Sequence, residues 1–240
     1  MIPLNISQIS KTFNKPILDD INLTVDNGVI FGFIGLNGQG KTTLIKIILD
    51  LLDQDSGDVE IFGISKLLPN SRQKICYLPE KFQPAIHQTG FEFLEFALGF
   101  YEDYQGKKFY ENNLKLICNN LDFDHNVLNQ KIAKYSKGMT QKLGLLATFL
   151  SNADLVILDE PMSGLDPKAR IALKKELINY KKHKKTIFFS SHILADMDEI
   201  CDKIAVLHDS KIRFTGTPKA FKDKHEKHDL DQAFLAEILA

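Results

Sequence analysis

The run Gly35-Leu36-Asn37-Gly38-Gln39-Gly40-Lys41-Thr42 constrains this chain more than any other segment in it. Before it stands Val29-Ile30-Phe31-Gly32-Phe33-Ile34, an apolar run that predicts a strand buried on both faces. After it, an apolar stretch from Thr42 to Leu52 predicts a helix. Between a strand and a helix, glycines let consecutive backbone N–H groups curl around phosphate oxygens without Cβ clashes. The helix that follows turns its partial positive end toward the same anion. The spacing G-x-x-x-x-G-K-[ST] gives Lys41 the β- and γ-oxygens of a nucleoside triphosphate and gives the Thr42 hydroxyl a place on Mg²⁺. Gly35, Leu36, Asn37, Gly38, Gln39, Gly40 and the neighbouring Thr43 complete the expected nucleotide contacts.

A second signal is Leu155-Val156-Ile157-Leu158-Asp159-Glu160. Four apolar residues predict a central strand, with two carboxylates at its carboxyl end, the edge where ligands bind in such sheets. Successive side chains on a strand diverge, so the two acids take different roles. Asp159 suits the Mg²⁺ shell, as the Walker B acid of P-loop ATPases does. Glu160 is left to orient or deprotonate an attacking water.

Around these motifs the chain alternates. Ile21, Leu23 and Val25 read as a half-buried strand that ends in an Asn27-Gly28 turn. Asp53 to Asp58 breaks the chain, and Val59–Phe62 and Ile75–Leu78 read as short strands. Residues 84–135 change character, with aromatic and amphipathic stretches that predict an inserted helical lobe. The β/α rhythm then resumes: a helix from Met139 to Leu150, the Leu155–Leu158 strand, a helix from Lys168 to Tyr180, and strands at Thr186–Ser190 and Ile204–Leu207. This alternation predicts an α/β fold with a mostly parallel sheet. Lys222 to Asp229 reads as exposed, and Leu230 to Leu239 as a docking helix.

The formal net charge of −1 gives no general attraction to nucleic acid or to an acidic membrane surface. The 240 residues suffice for one large domain with an inserted lobe. Cys76, Cys118 and Cys201 form no C-x-x-C pair and read as reduced, mostly buried thiols. No signal peptide is expected at Met1-Ile2-Pro3-Leu4-Asn5, and no apolar run reaches the ~20 residues of a membrane span. Membrane work would therefore need another chain to do the spanning. Lys181-Lys182-His183-Lys184-Lys185 reads as a helix C-terminus and a solvated turn rather than a nucleic-acid patch. Phe91, Phe93, Leu94, Phe96 and Leu98 read mainly as core.

The remaining motifs decide the kind of P-loop NTPase. Tyr135-Ser136-Lys137-Gly138-Met139-Thr140-Gln141, which precedes the second acidic strand and opens a helix, resembles the signature motif of ABC ATPases. Ser163-Gly164-Leu165-Asp166 resembles the D-loop of that family, and Ser190-Ser191-His192 resembles its H-loop. Tyr77-Leu78-Pro79-Glu80 falls where its Q-loop belongs, and Phe13 falls where an aromatic residue stacks on adenine. The resemblance spans nearly the whole chain, in the family's order. It implies a P-loop core with an N-terminal antiparallel β subdomain, residues 1–83 and 136–240 forming the core around the 84–135 lobe.

It further implies ATP and Mg²⁺ as ligands, a head-to-tail pairing with an identical or different ATPase chain, and a separate membrane permease. The place implied is cytoplasmic, at the inner face of the membrane. Ser136 and Gly138 would contact a γ-phosphate held by the partner chain, and Asp166 would lie at the seam. His192 would join Glu160 and Lys41 in hydrolysis, and Glu80 would join Thr42 and Asp159 at the metal. The chain departs from the pattern at Lys137 and Met139 in the signature, at Glu80 where glutamine is usual, and at Phe13 where tyrosine is. Ionised Glu80 can ligate Mg²⁺ through oxygen but cannot donate a hydrogen bond. The YLPE loop and the short C-terminal tail look more like exporter than importer ATPases. The rival within the family is an ABC ATPase that acts on ribosomes or nucleic acid. A GTPase is disfavoured because no N/T-K-x-D box occurs.

Overall fold

The computed structural model describes residues 1–101 and 107–239. Two sheets and a set of helices make the framework. Strands β1 (Leu4–Thr12), β2 (Pro16–Val25), β4 (Ser56–Ile61) and β5 (Ile64–Ser65) form an antiparallel sheet in the order β2-β1-β4-β5. Strands β3 (Ile30–Ile34), β6 (Ile75–Leu78), β7 (Leu155–Asp159), β8 (Thr186–Ser191), β9 (Lys203–His208) and β10 (Lys211–Gly216) form the larger sheet. Its order is β10-β9-β3-β8-β7-β6, parallel throughout except for β10.

Period-2 alternation on the large sheet assigns its faces. Phe31, Phe33, Leu155, Ile157, Phe188 and Leu207 pack with the antiparallel sheet and with helix α1 (Lys41–Ile48). Ile30, Ile34, Val156, Leu158, Ile187 and Phe189 point the other way, onto α4 (Lys137–Leu150), α5 (Pro167–Lys182), α6 (Leu194–Ile200) and the helical lobe. Burial on both faces is why β3, β7 and β8 read as unbroken apolar runs.

The lobe contains α2 (Gly90–Leu98) and α3 (Lys107–Asn120), then 3₁₀ turns at His125–Asn129 and Ile132–Lys134. Thr89 starts α2 with a capping box: its side chain accepts from Glu92 N–H, and the Glu92 carboxylate accepts from Thr89 N–H at 2.7 Å. The lobe's two ends are tied together by Gly90 N–H to Gln130 O and Ile132 N–H to Gln88 O. Leu94 and Leu98 reach the core, as expected of the aromatic stripe, and Phe91 and Phe93 are half-buried against it. Phe96 is the part of the stripe that faces outward. It is 60% exposed and stacks edge-on with Phe100, 74% exposed, at 5.1 Å.

Two element ends differ from the sequence reading. Helix α1 stops at Ile48 instead of Leu52, because Asp50 turns left-handed at φ 58°. Strand β4 begins at Ser56 and ends before Phe62, which has φ 51°. Both cysteines of the interior, Cys76 and Cys118, are buried free thiols. The basic run forms the end of α5 and the turn that follows, as expected, but two of its lysines are tied down: Lys181 to Asp202 at 2.7 Å and Lys185 to Asp154 at 2.8 Å. Helix α7 (Pro218–Lys224) is capped by Thr217, and α8 (Leu230–Leu239) docks through Leu230, Ala233 and Phe234. Among the described residues no helix is long and apolar enough to cross a membrane.

Candidate functional site

The glycine-rich loop joins β3 to α1 at the carboxyl edge of the large sheet. Gly38 and Gly40 have φ of 80° and 105°, a region in which a side chain is strained. A Cβ on Gly40 would come within 2.8 Å of Ile17 Cγ2 and 3.0 Å of Ile17 O. Beside Gly38 nothing lies within 4 Å, so the loop's concave side is open.

A cleft of about 420 Å³ opens there. Asn37, Gly38, Gly40, Lys41, Thr42 and Thr43 of the loop and helix start line it, with Phe13 and Ile17. Glu80, Glu160 and His192 also line it, together with Lys81 and Ser163. Phe13 is 57% exposed, and Lys11 Nζ lies over its ring at 5.5 Å from the centroid. Gly35, Leu36 and Gln39 do not line this cleft. The carbonyls of Gly35 and Leu36 accept from Lys41 Nζ at 2.6 and 3.4 Å, and Gln39 faces a shallow groove with Lys15 and Asp209.

Neighbouring strands bring the two acids to this edge. Asp159 is buried, and its two oxygens accept from Thr42 Oγ1 at 2.7 Å and Ser190 Oγ at 2.6 Å. No cation of the described residues lies within ion-pair distance of it. A buried carboxylate facing a threonine hydroxyl, with no protein cation, fits a hard divalent ion. Glu80 is exposed on the cleft wall. Burial, then the charges of Asp159 and Glu80, push the Tyr77 hydroxyl up to about 12.

Glu160 turns left-handed just after β7, with φ 49°, and this swings its carboxylate into the cleft. Oε2 meets His192 Nδ1 at 2.8 Å, and Oε1 lies 3.3 Å from Lys41 Nζ. Oε1 is buried and has no hydrogen-bond partner. One carboxylate therefore faces both the loop lysine and the histidine, with an oxygen free for a further donor.

Ser136 and Gly138 lie elsewhere. They line a separate cleft with Lys142, Gly164 and Asp166. Ser136 caps α4 by accepting from Met139 N–H at 3.2 Å, and Asp166 caps α5 by accepting from Ala169 N–H at 2.8 Å. Lys137, the departure from the usual signature, lays its stem along Gly164: a Cβ there would come within 2.9 Å of Lys137 Cε.

Sequence reasoning missed Ser190. It singled out His192 of Ser190-Ser191-His192, yet Ser190 is the residue that joins the two acids. Its hydroxyl donates to Asp159 and accepts the Glu160 N–H at 3.1 Å. Lys81 and Ile17 were also not singled out, and Ser163 only as the first residue of the motif that ends at Asp166.

Comparison with known proteins agrees with this arrangement. Residues 18–163 match the family model described as ABC transporter. EcsA of Bacillus subtilis (strain 168), an ABC-type transporter ATP-binding protein, is 32% identical over 239 residues, which cover 97% of this chain and 95% of EcsA. An uncharacterized ABC transporter ATP-binding protein of Synechocystis sp. is 34% identical over 201 residues, and the match spans 83% of this chain and 56% of that longer protein. A solved ATP-binding subunit of an ABC transporter superposes with a TM-score of 0.91 at 29% identity over 99% of both chains. The chain belongs to the ABC transporter family, as an ATP-binding and ATP-hydrolysing domain of it.

Proposed function

We propose that this chain drives transport through a separate membrane permease, closing on ATP as a head-to-tail pair and reopening after hydrolysis. The observation that carries the reading is the separation of two half-sites on one chain. The phosphate loop with Glu160 and His192 lines one cleft, and Ser136 with Gly138 lines another. A second ABC chain, turned head to tail, would bring its Ser136 to the first chain's γ-phosphate. The Ser136 hydroxyl and the amino end of α4 would then bind that anion.

Within the loop's own cleft, the backbone N–H groups of Asn37 to Thr43 would cradle the phosphates, and Phe13 would stack on the base. Thr42 and Asp159, with Glu80 nearby, would hold Mg²⁺, which supplies charge neutralisation at the β- and γ-oxygens. Lys41 is charge-balanced by Glu160 and bonded to the Gly35 carbonyl; its ammonium would turn to the phosphates. Glu160 would keep its contact to His192 and use Oε1 to accept a proton from the attacking water. His192, half exposed at the rim, would orient that water from the opposite side.

The exposed Phe96–Phe100 pair on the helical lobe supports a protein partner there, as does the absence of a membrane-crossing helix among the described residues. The place implied is the inner face of a membrane, through the permease, with export as the direction.

Size-exclusion chromatography of Glu160→Gln tests the pairing. ATP with Mg²⁺ should convert monomer to dimer, whereas ADP should not, since only ATP offers the γ-phosphate that bridges two surfaces. Adding Ser136→Arg should abolish the dimer and spare binding at the phosphate loop. A dimer indifferent to Ser136→Arg would overturn the reading. So would a monomer under saturating ATP that persists with the coexpressed permease.

A further inference from the structure

Four acidic side chains are buried among the described residues: Asp159, Glu160, Glu176 and Asp196. Glu160 faces Lys41 and His192, and Asp196 is held by Arg170 at 2.5 Å and Lys174 at 3.4 Å. Asp159 faces the metal position. Glu176 remains. It is 4% exposed and has no ion-pair partner among the described residues. Its Oε2 accepts from Asn120 Nδ2 at 2.7 Å. Burial pushes its carboxyl up, and the amides of Asn120 and Asn179 and then His183 pull it back.

Glu176 lies in the wall of a cavity of about 350 Å³, remote from the phosphate loop, between α3 of the lobe and α5 of the core. The wall is mixed in a particular way. Phe149 and Tyr180, packed edge to face at 5.3 Å, give it aromatic surface. Ile117 and the 53% exposed Leu116 make an apolar lip. Asn113, Asn120, Asn152 and Asn179 contribute carboxamides, and His183 and Lys185 complete the wall. Asn120 gives an amide N–H to Glu176, which leaves its carbonyl oxygen as an acceptor. The lysine at the rim, Lys185, is already bound to Asn152 O at 2.6 Å and Asp154 Oδ1 at 2.8 Å. Glu176 thus forms no ion pair among the described residues, and the His183 imidazole in the same wall is what offsets its charge; burying a carboxylate so weakly compensated is costly.

We propose that this cavity binds a small organic cation, a primary ammonium on an aromatic or aliphatic body, with Glu176 as its counter-ion. The ammonium carries three donors and no acceptor, which matches a carboxylate flanked by amide carbonyls. The apolar body covers the Phe149 and Tyr180 rings and meets Ile117 and Leu116. A bare metal ion does not suit the cavity, because the described residues place no cluster of His, Cys, Asp or Glu there that could hold one. An anionic ligand would face Glu176 directly.

The test is a titration of the full chain with phenethylamine and, in parallel, with 2-phenylethanol, followed by protein-observed NMR. Phenethylamine should saturate and shift resonances on α3 and α5. The alcohol should bind at least about tenfold more weakly, the loss expected when a charge-assisted bond is replaced by a neutral one. Glu176→Gln should lower phenethylamine affinity by about the same factor. Leu116→Trp, at a 53% exposed position, should obstruct the mouth and remove binding even if Glu176→Gln fails to fold. Three outcomes overturn the proposal: amine and alcohol binding alike, binding unchanged by both substitutions, or no saturable amine binding. Adding ATP should leave the shifts in place, because the two cavities share no residue.

Discussion

Ser190 and Asp159 stand opposite each other in the parallel register of β8 and β7, and the Ser190 hydroxyl donates to Asp159 Oδ1 at 2.6 Å. Ser190 Oγ in turn accepts the Glu160 N–H, so one hydroxyl fixes the direction of the first acid and the turn that aims the second. The two roles assigned to the acids depend on that divergence.

Ser190→Ala should therefore affect both stability and chemistry. Loss of a buried hydrogen bond to a charged group costs about 1.5–3 kcal/mol, to be read from urea unfolding. ATP turnover should fall by about tenfold, the kinetic equivalent of about 1.4 kcal/mol. Wild-type turnover in a destabilised variant would show that the bridge is structural only.

Lys41→Ala should weaken nucleotide binding itself. A charge-assisted contact to phosphate is worth about 1.5–3 kcal/mol, or roughly a ten- to hundredfold loss of affinity. Titration with a fluorescent ATP analogue measures it. Unaltered affinity would count against placing the phosphates at this loop.

Much of this site is legible in the sequence because its parts are local. The phosphate loop, the two acids after β7 and the Ser136 cap are each set by a few consecutive residues, and so are the strand and helix around them. Ser190 is not legible as a bridge, because its role comes from the β7–β8 register, and the chain separates it from Asp159 by the whole of α5. The same holds for Lys181 and Lys185: as a basic run they read as solvated, but β9 and the turn before β7 bring Asp202 and Asp154 to them. The end of α1 is misread for a different reason. Leu49, Leu51 and Leu52 continue the apolar pattern past the left-handed turn at Asp50, and hydrophobicity carries no record of φ. Phe96 is a third case, since its aromatic character suits a core, whereas α2 turns it outward.

Gly40→Ala tests the crowding behind the phosphate loop. At φ 105° an alanine is strained by about 1–3 kcal/mol, and its Cβ would press on Ile17. Because Ile17 lines the cleft, both the urea midpoint and ATP affinity should fall. A variant that unfolds and binds ATP like the parent would show that the loop relaxes freely.

Acid should loosen the C-terminal helix. Burial raises the Glu237 carboxyl, but Lys224 and His225, each 2.6 Å away, outweigh burial and hold it below its ordinary range. A depressed carboxyl stabilises fully above its unfolded value of about 4.3, and that contribution disappears as pH falls through the lower folded value. Hydrogen exchange at α8 should rise below about pH 4. Glu237→Gln should show the faster exchange already at neutral pH. Equal exchange in parent and variant across this range would remove Glu237 from the account of docking.

The left-handed backbone at Glu160 also shapes how this gene can decay. Glycine, aspartate and valine are among the residues whose codons lie one base from a glutamate codon. At φ 49° glycine and aspartate sit comfortably, but a β-branched valine does not. A glycine or aspartate copy therefore keeps this turn while it has lost or shortened the carboxylate proposed to act on the water. On the paired reading, such a copy takes a seat beside a sound one and stalls it. The inherited defect would then behave as dominant, with half the message able to silence most of the assemblies.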